Sequence, residues 1–579
     1  MRLIEALEIM RLPAADDATR RKILLAVGFT PLHLQTFMAA HLRSGKAAIE
    51  AVFEIGLYGD LAGTLERADT QELDVIVVMI EWSDLDARLG LRTLGAWRPQ
   101  DLEEIIGSTE SALQRIHHAL DSAARTVPVV AAMPSLPLPP IFTTRSGQQS
   151  AEEARLRSIA ASAAEALAHI PGLRMLSPQK LSEIAPVAGR YDLKSDLLSG
   201  FPYSKNFASA LASQAADLIR NRPPAKGIIT DLDETLWAGI AGDDGIPALS
   251  WSLDRHTHLH AIYQNLLASL AGAGVLLAVA TKNDPEVVEL AFKRKDLLLR
   301  SLDIFPVEAN WLPKSQSVAR ILKTWNVGAD AVVFIDDNAL EIAEVQAAFP
   351  EMDCKLFPNN DYDAAWGFLQ SLRDAFGKPS VSSEDGLRLA SIRAASAWRS
   401  QTEGVADPSE EFLASAGASV VFECNRSTED NRAFELLNKT NQFNLNGRRL
   451  DEAEWRRMLD DPRAFQLTVS YEDKFGVLGR IAVLLGKVGG DHVEISSWVM
   501  SCRAFSRRIE YQCIKFVFEH FQAAEVILDY QATPRNTPLT EFLTALLGCQ
   551  PAPGAAISKE AFLGRVPALY HRVEESAHV

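Results

Sequence analysis

The chain has 579 residues, a length that at about 150 residues per domain argues against a single core and for about four domains. Apolar residues make up 47 % and charged residues 23 %, which is ordinary globular usage and excludes a disordered chain, a collagen, a coiled coil or a disulfide scaffold. The 58 Lys and Arg against 75 Asp and Glu leave a formal net charge of -17, a field that repels phosphate backbones and argues against a nucleic-acid partner.

The five cysteines, Cys354, Cys424, Cys502, Cys513 and Cys549, are sparse and odd in number. None forms a Cys-x-x-Cys pair, so neither a zinc knuckle nor a secreted disulfide framework is supported. The N-terminal stretch 1–22 lacks the apolar run of a signal peptide. The longest apolar runs, such as 271–280, fall short of the ~20 residues that a membrane-spanning helix needs. Together these features predict a soluble chain in a reducing, cytoplasmic setting, without a membrane partner.

In chain order, the run 22–29 predicts a buried strand, and the apolar period over 32–42 predicts a helix. The runs 73–80 and 127–133 predict further buried strands, separated by a helix over 101–120. That alternation belongs to a parallel α/β sheet covered on both faces. The Pro-rich 134–141 reads as a loop, and 221–226 (NRPPAK) as a domain boundary. A second alternation follows: a strand over 226–233, a helix near 255–271, a strand over 274–282, a helix near 285–297 and a strand over 331–338. The stretch 377–386 (GKPSVSSEDG) reads as a linker, and the helical 387–400 after it can belong to either side. The last third predicts mostly antiparallel strands at 418–426, 465–473, 479–488, 492–502 and 526–532, with an amphipathic helix over 507–524.

The chemistry concentrates in Asp231-Leu232-Asp233-Glu234-Thr235-Leu236-Trp237, directly after the apolar strand GIIT. Two carboxylates two residues apart at a strand end can project into one site, bind a divalent metal, attack phosphorus and handle a proton. Mg²⁺ prefers such oxygen ligands. Three further elements follow in order. Thr281 ends a strand, where its hydroxyl can bind a phosphate oxygen. Lys314 can neutralise developing charge and hold the nucleophile's carboxylate. Asp336 and Asp337 end the next strand, where they can complete a metal site. All lie at carboxyl ends of predicted strands, where open α/β sheets place their sites. The gaps between Asp233 and Thr281 and between Thr281 and Lys314 have no room for a lid domain, so the site either admits a large substrate or is covered by a neighbouring domain.

This order of motifs resembles the haloacid dehalogenase (HAD) phosphatase superfamily. The resemblance implies Asp231 as a nucleophile that forms an aspartyl-phosphate and Asp233 as general acid/base. It also implies Mg²⁺ at Asp231, Asp233 (through its backbone) and Asp336. Glu234 departs from the Asn of many relatives. More specifically, TDLDETLWAG, ATKNDP (280–285), FIDDNALE (334–341), LLNKTNQFN (436–444) and MSCR (500–503) together resemble the FkbH-like glyceryl transferase/phosphatase family of polyketide pathways. That family takes a three-carbon unit from 1,3-bisphosphoglycerate, removes its phosphates, and loads glyceryl onto an acyl carrier protein as a thioester. The resemblance implies Cys502 as the acyl-carrying thiol and the phosphopantetheine of a carrier protein as its partner.

Neighbouring arginines, Arg503, Arg507 and Arg508, would favour a Cys502 thiolate. The other four cysteines read as buried core. Lys282, Asn283, Asp337, Asn441, Gln442, Asn444 and Arg503 are the expected substrate contacts. The amide cluster 438–444 reads equally as a helix cap, and Asp473 as a base, a turn residue or an ion-pair partner. The implied fold class is multidomain α/β in three parts: 1–222 resembling SGNH hydrolases, 223–378 a HAD-like Rossmannoid domain without a large cap, and 379–579 an α+β domain resembling GNAT acyltransferases. The GNAT-like turn before the helix lacks its glycines, which favours a carrier-protein partner over free coenzyme A. The SGNH-like part lacks the usual serine and histidine, leaving only Thr30 as a hydroxyl at the first position, and reads as a scaffold or cover. With so acidic a chain, a phosphorylated substrate and an acidic carrier protein require local basic patches, expected at Arg448, Arg449, Arg503, Arg507 and Arg508. The competing readings are a phosphatase for another metabolite and a scaffold that binds carrier proteins without turnover.

Overall fold

The computed structural model describes residues 1–13, 15, 18–44, 48–92, 98–142, 144–145, 147–359, 361–378, 381, 383–402, 410–428, 430–440, 442–501 and 504–576. The chain forms two compact units: Met1–Arg222 together with Leu450–Met458, and Pro223–Arg449 together with Leu459–Val579.

The first unit is built on five parallel strands, β1 (Thr19–Val27), β2 (Ile49–Ile55), β3 (Val75–Met79), β4 (Val129–Ala132) and β5 (Leu173–Met175), in the order β2-β1-β3-β4-β5. β3 and β4 are buried along their whole length, as expected of uninterrupted apolar runs covered on both faces. Helices Leu32–Arg43 and Leu102–Ala124 lie where the apolar period places them. β2 escaped the sequence reading because its apolar residues are interrupted by Glu50 and Glu54 and most of it is part-exposed at the sheet edge.

The second unit contains two sheets. Its parallel sheet comprises β6 (Gly227–Thr230), β7 (Leu276–Thr281), β8 (Ile304–Ala309), β9 (Val332–Asp336) and β10 (Asp353–Leu356), in the order β10-β9-β6-β7-β8. The chain runs outward from β6 through β7 to β8, then returns to lay β9 on the other side of β6. β6 and β9 therefore flank the crevice where strand order reverses. The helix after β7, Pro285–Phe292, stops before the expected residue 297. There the Arg294 guanidinium turns back to the carbonyls of Ile246 and Leu249 and to Asp296.

The mixed sheet comprises β11 (Ser419–Asn425), β12 (Ala464–Asp473), β13 (Gly476–Gly489), β14 (His492–Met500), β15 (Glu525–Leu528), β16 (Ala555–Ser558) and β17 (Arg572–Glu575), in the order β16-β15-β14-β13-β12-β11-β17. β11 to β14 are antiparallel, while β15 and β17 pair in parallel with β14 and β11. β15 pairs only with the first four residues of β14. Further along, Phe443 and Leu445 take its place, with Met500 N donating to Phe443 O at 3.0 Å and Leu445 N donating to Trp498 O at 2.9 Å. The helix Ile509–His520 is shorter at both ends than the expected 507–524. The architecture is thus multidomain α/β, with two parallel sheets and a mixed one.

The predicted linker 377–386 is a correction, because a helix begins inside it, at Ser383, and runs to Thr402. Asp385 anchors the first turn. Its buried carboxylate accepts Lys378 Nζ at 2.6 Å and Arg388 Nη2 at 3.3 Å. A Cβ on Gly274, whose φ is +82°, would lie 2.6 Å from Asp385, so that turn closes on backbone only glycine provides. Further along the helix, Ile392 is buried in the core beneath the parallel sheet and Ala394 in the core of the mixed sheet. One helix thus belongs to both cores. Among the described residues, no helix is long and apolar enough to cross a membrane.

Ile392→Ala leaves a cavity in the parallel-sheet core and is expected to destabilise the second unit by about 2–5 kcal/mol. A lowered urea midpoint for that unit, with the first unit's transition unmoved, is the measurement that checks it.

Candidate functional site

The carboxyl ends of β6 and β9 lie side by side. Thr230 pairs with Ile335, and Asp231 N donates to Ile335 O at 2.9 Å, so the next residues, Asp231 and Asp336, emerge together. Both are buried, Asp336 completely. Asp337 joins them, each of the three aspartates offering one oxygen within 4.8 Å of the others. Lys314, the first residue of the helix Lys314–Trp325, reaches in with Nζ 2.8 Å from Asp231 Oδ2 and 2.5 Å from Asp336 Oδ2.

Burial pushes the Asp336 carboxyl above its ordinary range, the Asp231 charge adds to that, and Lys314 pulls back. Asp337 is raised for the same first two reasons. Burial alone would lower Lys314, but the Asp231 and Asp336 charges outweigh it and hold the ammonium protonated. Three carboxylates against one ammonium leave the pocket short of positive charge. Among the described residues, the buried Asp231 Oδ1 has no hydrogen-bond partner. An orphaned carboxylate oxygen beside two more is the donor set that a hard divalent cation takes, so these residues fit Mg²⁺.

Asp233 faces elsewhere. Its carboxylate accepts Trp237 Nε1 at 2.8 Å, Ala241 N at 3.1 Å and Asn283 Nδ2 at 2.8 Å, which ties the flap after β6 to the loop after β7. Asn283 also donates to Thr281 Oγ1 at 3.3 Å, so Thr281, Asn283 and Asp233 form one chain. The Asp233 carboxylate lies outside the three-aspartate group, and the resemblance assigned its backbone, not its side chain, to the metal. Asp337, expected both to complete the metal site and to contact substrate, is among the ligand-capable oxygens and accepts Thr235 Oγ1 at 3.3 Å. Lys282 is half-exposed and paired with Glu341 at 2.6 Å.

Glu234 sits at φ +54°, in the left-handed region that Asn tolerates better than Glu. Its two oxygens accept Gly239 N and Asn359 Nδ2, each at 2.7 Å, which offsets the backbone cost and pins the flap.

Among the remaining expected contacts, Gln442 and Asn444 are not at this cluster. Gln442 exchanges two amide bonds, each 3.2 Å, with Asn326. Asn326 caps the far end of the twelve-residue helix that Lys314 begins, roughly 18 Å away at 1.5 Å per residue. Asn444 is buried and bonded to the backbone of Thr440, Asn446 and Gly447. Asn441, Cys502 and Arg503 lie outside the described residues.

Arg507 and Arg508 are a correction to the expected basic surface. Arg507 is buried against an equally buried Asp473, 3.2 Å away. Arg508 Nη1 donates to Ala568 O at 2.9 Å. Arg449 donates to the carbonyls of Leu437 and Thr440. The Arg507 and Arg508 guanidiniums are turned onto acceptors of their own fold, whereas Arg448 and Arg449 are exposed. Cys513 is core as expected, with its thiol pushed up by burial, whereas Cys549 is exposed because it follows the Gly548 turn that ends a helix. Cys354 and Cys424 are half-buried, and burial pushes both thiols up to about 11.

In the first unit, the ends of β1 and β3 carry a different group. Buried Glu81 accepts Ser135 Oγ at 2.5 Å and Tyr203 Oη at 2.8 Å, and Asp84 accepts Glu81 N at 2.8 Å. A Cβ on Gly28 would fall 1.8 Å from Asp84 Oδ1, so glycine is the residue this approach allows. Thr30 N donates to Gly200 O at 3.0 Å, tying the hydroxyl-bearing turn to the loop before Tyr203.

No protein-family profile and no curated protein sequence matches the chain. Among solved structures, the N-terminal part of protein BF1531 from Bacteroides fragilis, described as containing a phosphatase domain complexed with Mg, aligns over 66 % of this chain and 100 % of its own. Its TM-score is 0.54 at 19 % identity. The chain shares that fold. A protein from Corynebacterium glutamicum, described as uncharacterized, covers 27 % of this chain and 98 % of its own at 16 % identity. A C2-type ketoreductase from a modular polyketide synthase covers 66 % and 77 % at 13 % identity. Their TM-scores of 0.19 and 0.17 carry no argument here.

Two outcomes follow. Lys314→Met strands the buried aspartates without their counter-charge and is expected to cost about 3–5 kcal/mol. Thermal unfolding should show the loss, and millimolar Mg²⁺ should restore part of it. Burial pushes Asp84 up to about 7. The unfolded chain releases that proton near pH 4, so the stability tied to the neutral carboxyl is full below that and falls as pH rises toward about 7. Asp84→Asn is therefore expected to stabilise the first unit by about 2–4 kcal/mol near pH 8 and to have little effect near pH 4. Denaturant titrations at the two pH values check it.

Proposed function

We propose that the chain is a Mg²⁺-dependent phosphatase of the HAD type, acting through Asp231. The observation that carries this reading is the convergence of Asp231, Lys314, Asp336 and Asp337 at the carboxyl ends of β6 and β9, with Asp231 Oδ1 buried and unpaired among the described residues. The shared fold with a phosphatase-containing fragment complexed with Mg supports it.

In this reading Asp231, Asp336 and the backbone of Asp233 hold the metal, with Asp337 beside them. When bound, Mg²⁺ draws charge from the phosphoryl oxygens and so lowers the cost of bringing a carboxylate to phosphorus. Asp231 attacks the phosphorus and the bond to the leaving oxygen breaks, giving an aspartyl-phosphate. Asp233, turned from its bonds to Trp237 and Asn283 when substrate is bound, hands a proton to the leaving oxygen and then takes one from the water that hydrolyses the intermediate. Lys314 holds the Asp231 carboxylate in place and offsets the charge that builds on phosphorus. Thr281, with Asn283 bonded to both it and Asp233, offers a hydroxyl to a phosphoryl oxygen, and Lys282 reaches the substrate by exchanging Glu341 for an anionic group.

The wider reading, carried by the FkbH-like motifs, adds transfer of a glyceryl unit from 1,3-bisphosphoglycerate to the phosphopantetheine thiol of an acyl carrier protein. The Cys502 thiolate displaces the acyl phosphate as inorganic phosphate and holds the unit as a thioester. The remaining phosphate ester is hydrolysed, and the phosphopantetheine thiol takes the glyceryl group with release of Cys502. Asn441, Gln442, Asn444 and Arg503 stand in the same motifs. The SGNH-like and GNAT-like assignments of the outer parts belong to this wider reading.

One experiment separates the levels. Wild-type chain is incubated with Mg²⁺, holo-carrier protein and either 1,3-bisphosphoglycerate or p-nitrophenyl phosphate, and phosphate release and intact masses are measured. Phosphate release that is lost in Asp231→Asn by a factor of at least about 10³ supports the phosphatase. A glyceryl adduct on the carrier protein that Cys502→Ala abolishes supports the transfer. Phosphate without any adduct leaves a phosphatase for another metabolite. No phosphate from either compound favours a scaffold.

A further inference from the structure

The helix that follows the metal-site aspartates, Ala339–Ala348, carries Glu341 and Glu344 three residues apart, hence on one face. Glu341 holds Lys282. Glu344 reaches the start of the neighbouring helix Lys314–Trp325. Its Oε2 accepts the Lys314 amide at 3.1 Å, and its Oε1 accepts the Ser315 amide at 3.2 Å and the Ser315 hydroxyl at 2.5 Å. These donors outweigh burial and hold the Glu344 carboxyl below its usual range.

A helix begins with four amides that have no partner inside the helix. Here the preceding residue is Pro313, which has no side-chain acceptor, so local sequence supplies no cap. Glu344 supplies it from another helix. Lys314 is the first residue of the capped turn, and its Nζ sits between Asp231 and Asp336. Asp336 ends the strand from which the chain passes, through Asp337 and Asn338, into the Glu344 helix. Asn338 N donates to Asp336 Oδ1 at 2.9 Å and Asn338 caps the Glu344 helix. Backbone and carboxylate thus close a loop: β9 carries Asp336, the next helix carries Glu344, and Glu344 fixes the backbone from which Lys314 returns to Asp336.

We infer that Glu344 is a positioning residue for the phosphatase site, setting the place of the Lys314 ammonium between Asp231 and Asp336 by capping the helix that Lys314 begins. It deepens the phosphatase reading and rests on it for the kinetic consequence. The placement of Lys314 is tested without any turnover.

The test uses full-length wild type, Glu344→Ala and the near-isosteric Glu344→Gln, each checked for the wild-type circular dichroism spectrum. Lysines are labelled with an amine-reactive ester, and the rate at Lys314 is read by peptide mass spectrometry. Phosphate release from p-nitrophenyl phosphate with Mg²⁺ is measured alongside. In wild type, Lys314 is enclosed between two carboxylates and should label slowly. Glu344→Ala should label several-fold faster, with kcat lowered about 10- to 100-fold and KM little changed, as for a displaced group that acts on the transition state. Glu344→Gln retains a carbonyl acceptor for one amide and should recover part of both effects. Unchanged labelling of Lys314 in both variants overturns the inference whatever the kinetics show. Faster labelling with unchanged kcat overturns it too, because the ammonium's place would then not matter. If wild type releases no phosphate, the phosphatase reading falls, and the labelling rates alone decide whether Glu344 positions Lys314.

Discussion

The buried meeting of Lys314 with Asp231 and Asp336 is the constraint to which the second unit is built. Two carboxylates at the ends of adjacent strands repel each other in a medium far less polarisable than water, and burial together with the Asp231 charge raises the Asp336 carboxyl. The ammonium makes the pair tolerable, and the pocket still carries an excess of negative charge with one oxygen unpaired among the described residues. Such a set of carboxylate oxygens suits a hard divalent cation. The surroundings are correspondingly stiff. β6, β7 and β9 are buried along their full length, and Glu234 keeps a left-handed backbone through two short hydrogen bonds that fasten the flap.

The same logic of shared support recurs at larger scale. The helix Ser383–Thr402 contributes Ile392 to one core and Ala394 to the other, so the parallel and mixed sheets form one unit. Composition misled here. Gly, Pro and Ser at 377–383 read as a flexible join, whereas the charges that follow, Asp385 and Arg388, lock the helix to the turn at Gly274. A charged residue usually marks a solvated face, but one whose partners are brought from distant parts of the chain is invisible to local pattern.

The arginines illustrate the same point. A cluster of basic residues in an acidic chain reads as a docking patch for anions. Arg507 instead neutralises a buried Asp473, and Arg508 donates to the Ala568 carbonyl. Whether a guanidinium faces solvent or its own backbone depends on how strands and loops pack around it. Glu344 was missed for a related reason. In sequence it is one more glutamate on a helix, and only the proximity of a second helix beginning after a proline makes it a cap. The spacing of Glu341 and Glu344 directly after Asp336-Asp337 was the available hint.

The sequence by itself determined the alternation of buried strands and amphipathic helices, because period and apolar run length are local properties. It also placed Asp231 and Asp336 at one edge, because in a parallel sheet every strand delivers its carboxyl end to the same side. Tertiary structure alone decided which oxygens converge. It turned the Asp233 carboxylate toward Trp237 and Asn283. It also sent Gln442 and Asn444 away from the cluster. Those outcomes depend on strand order, on helix ends meeting and on side chains choosing among acceptors far apart in the chain, and none of these is written in any one stretch of residues.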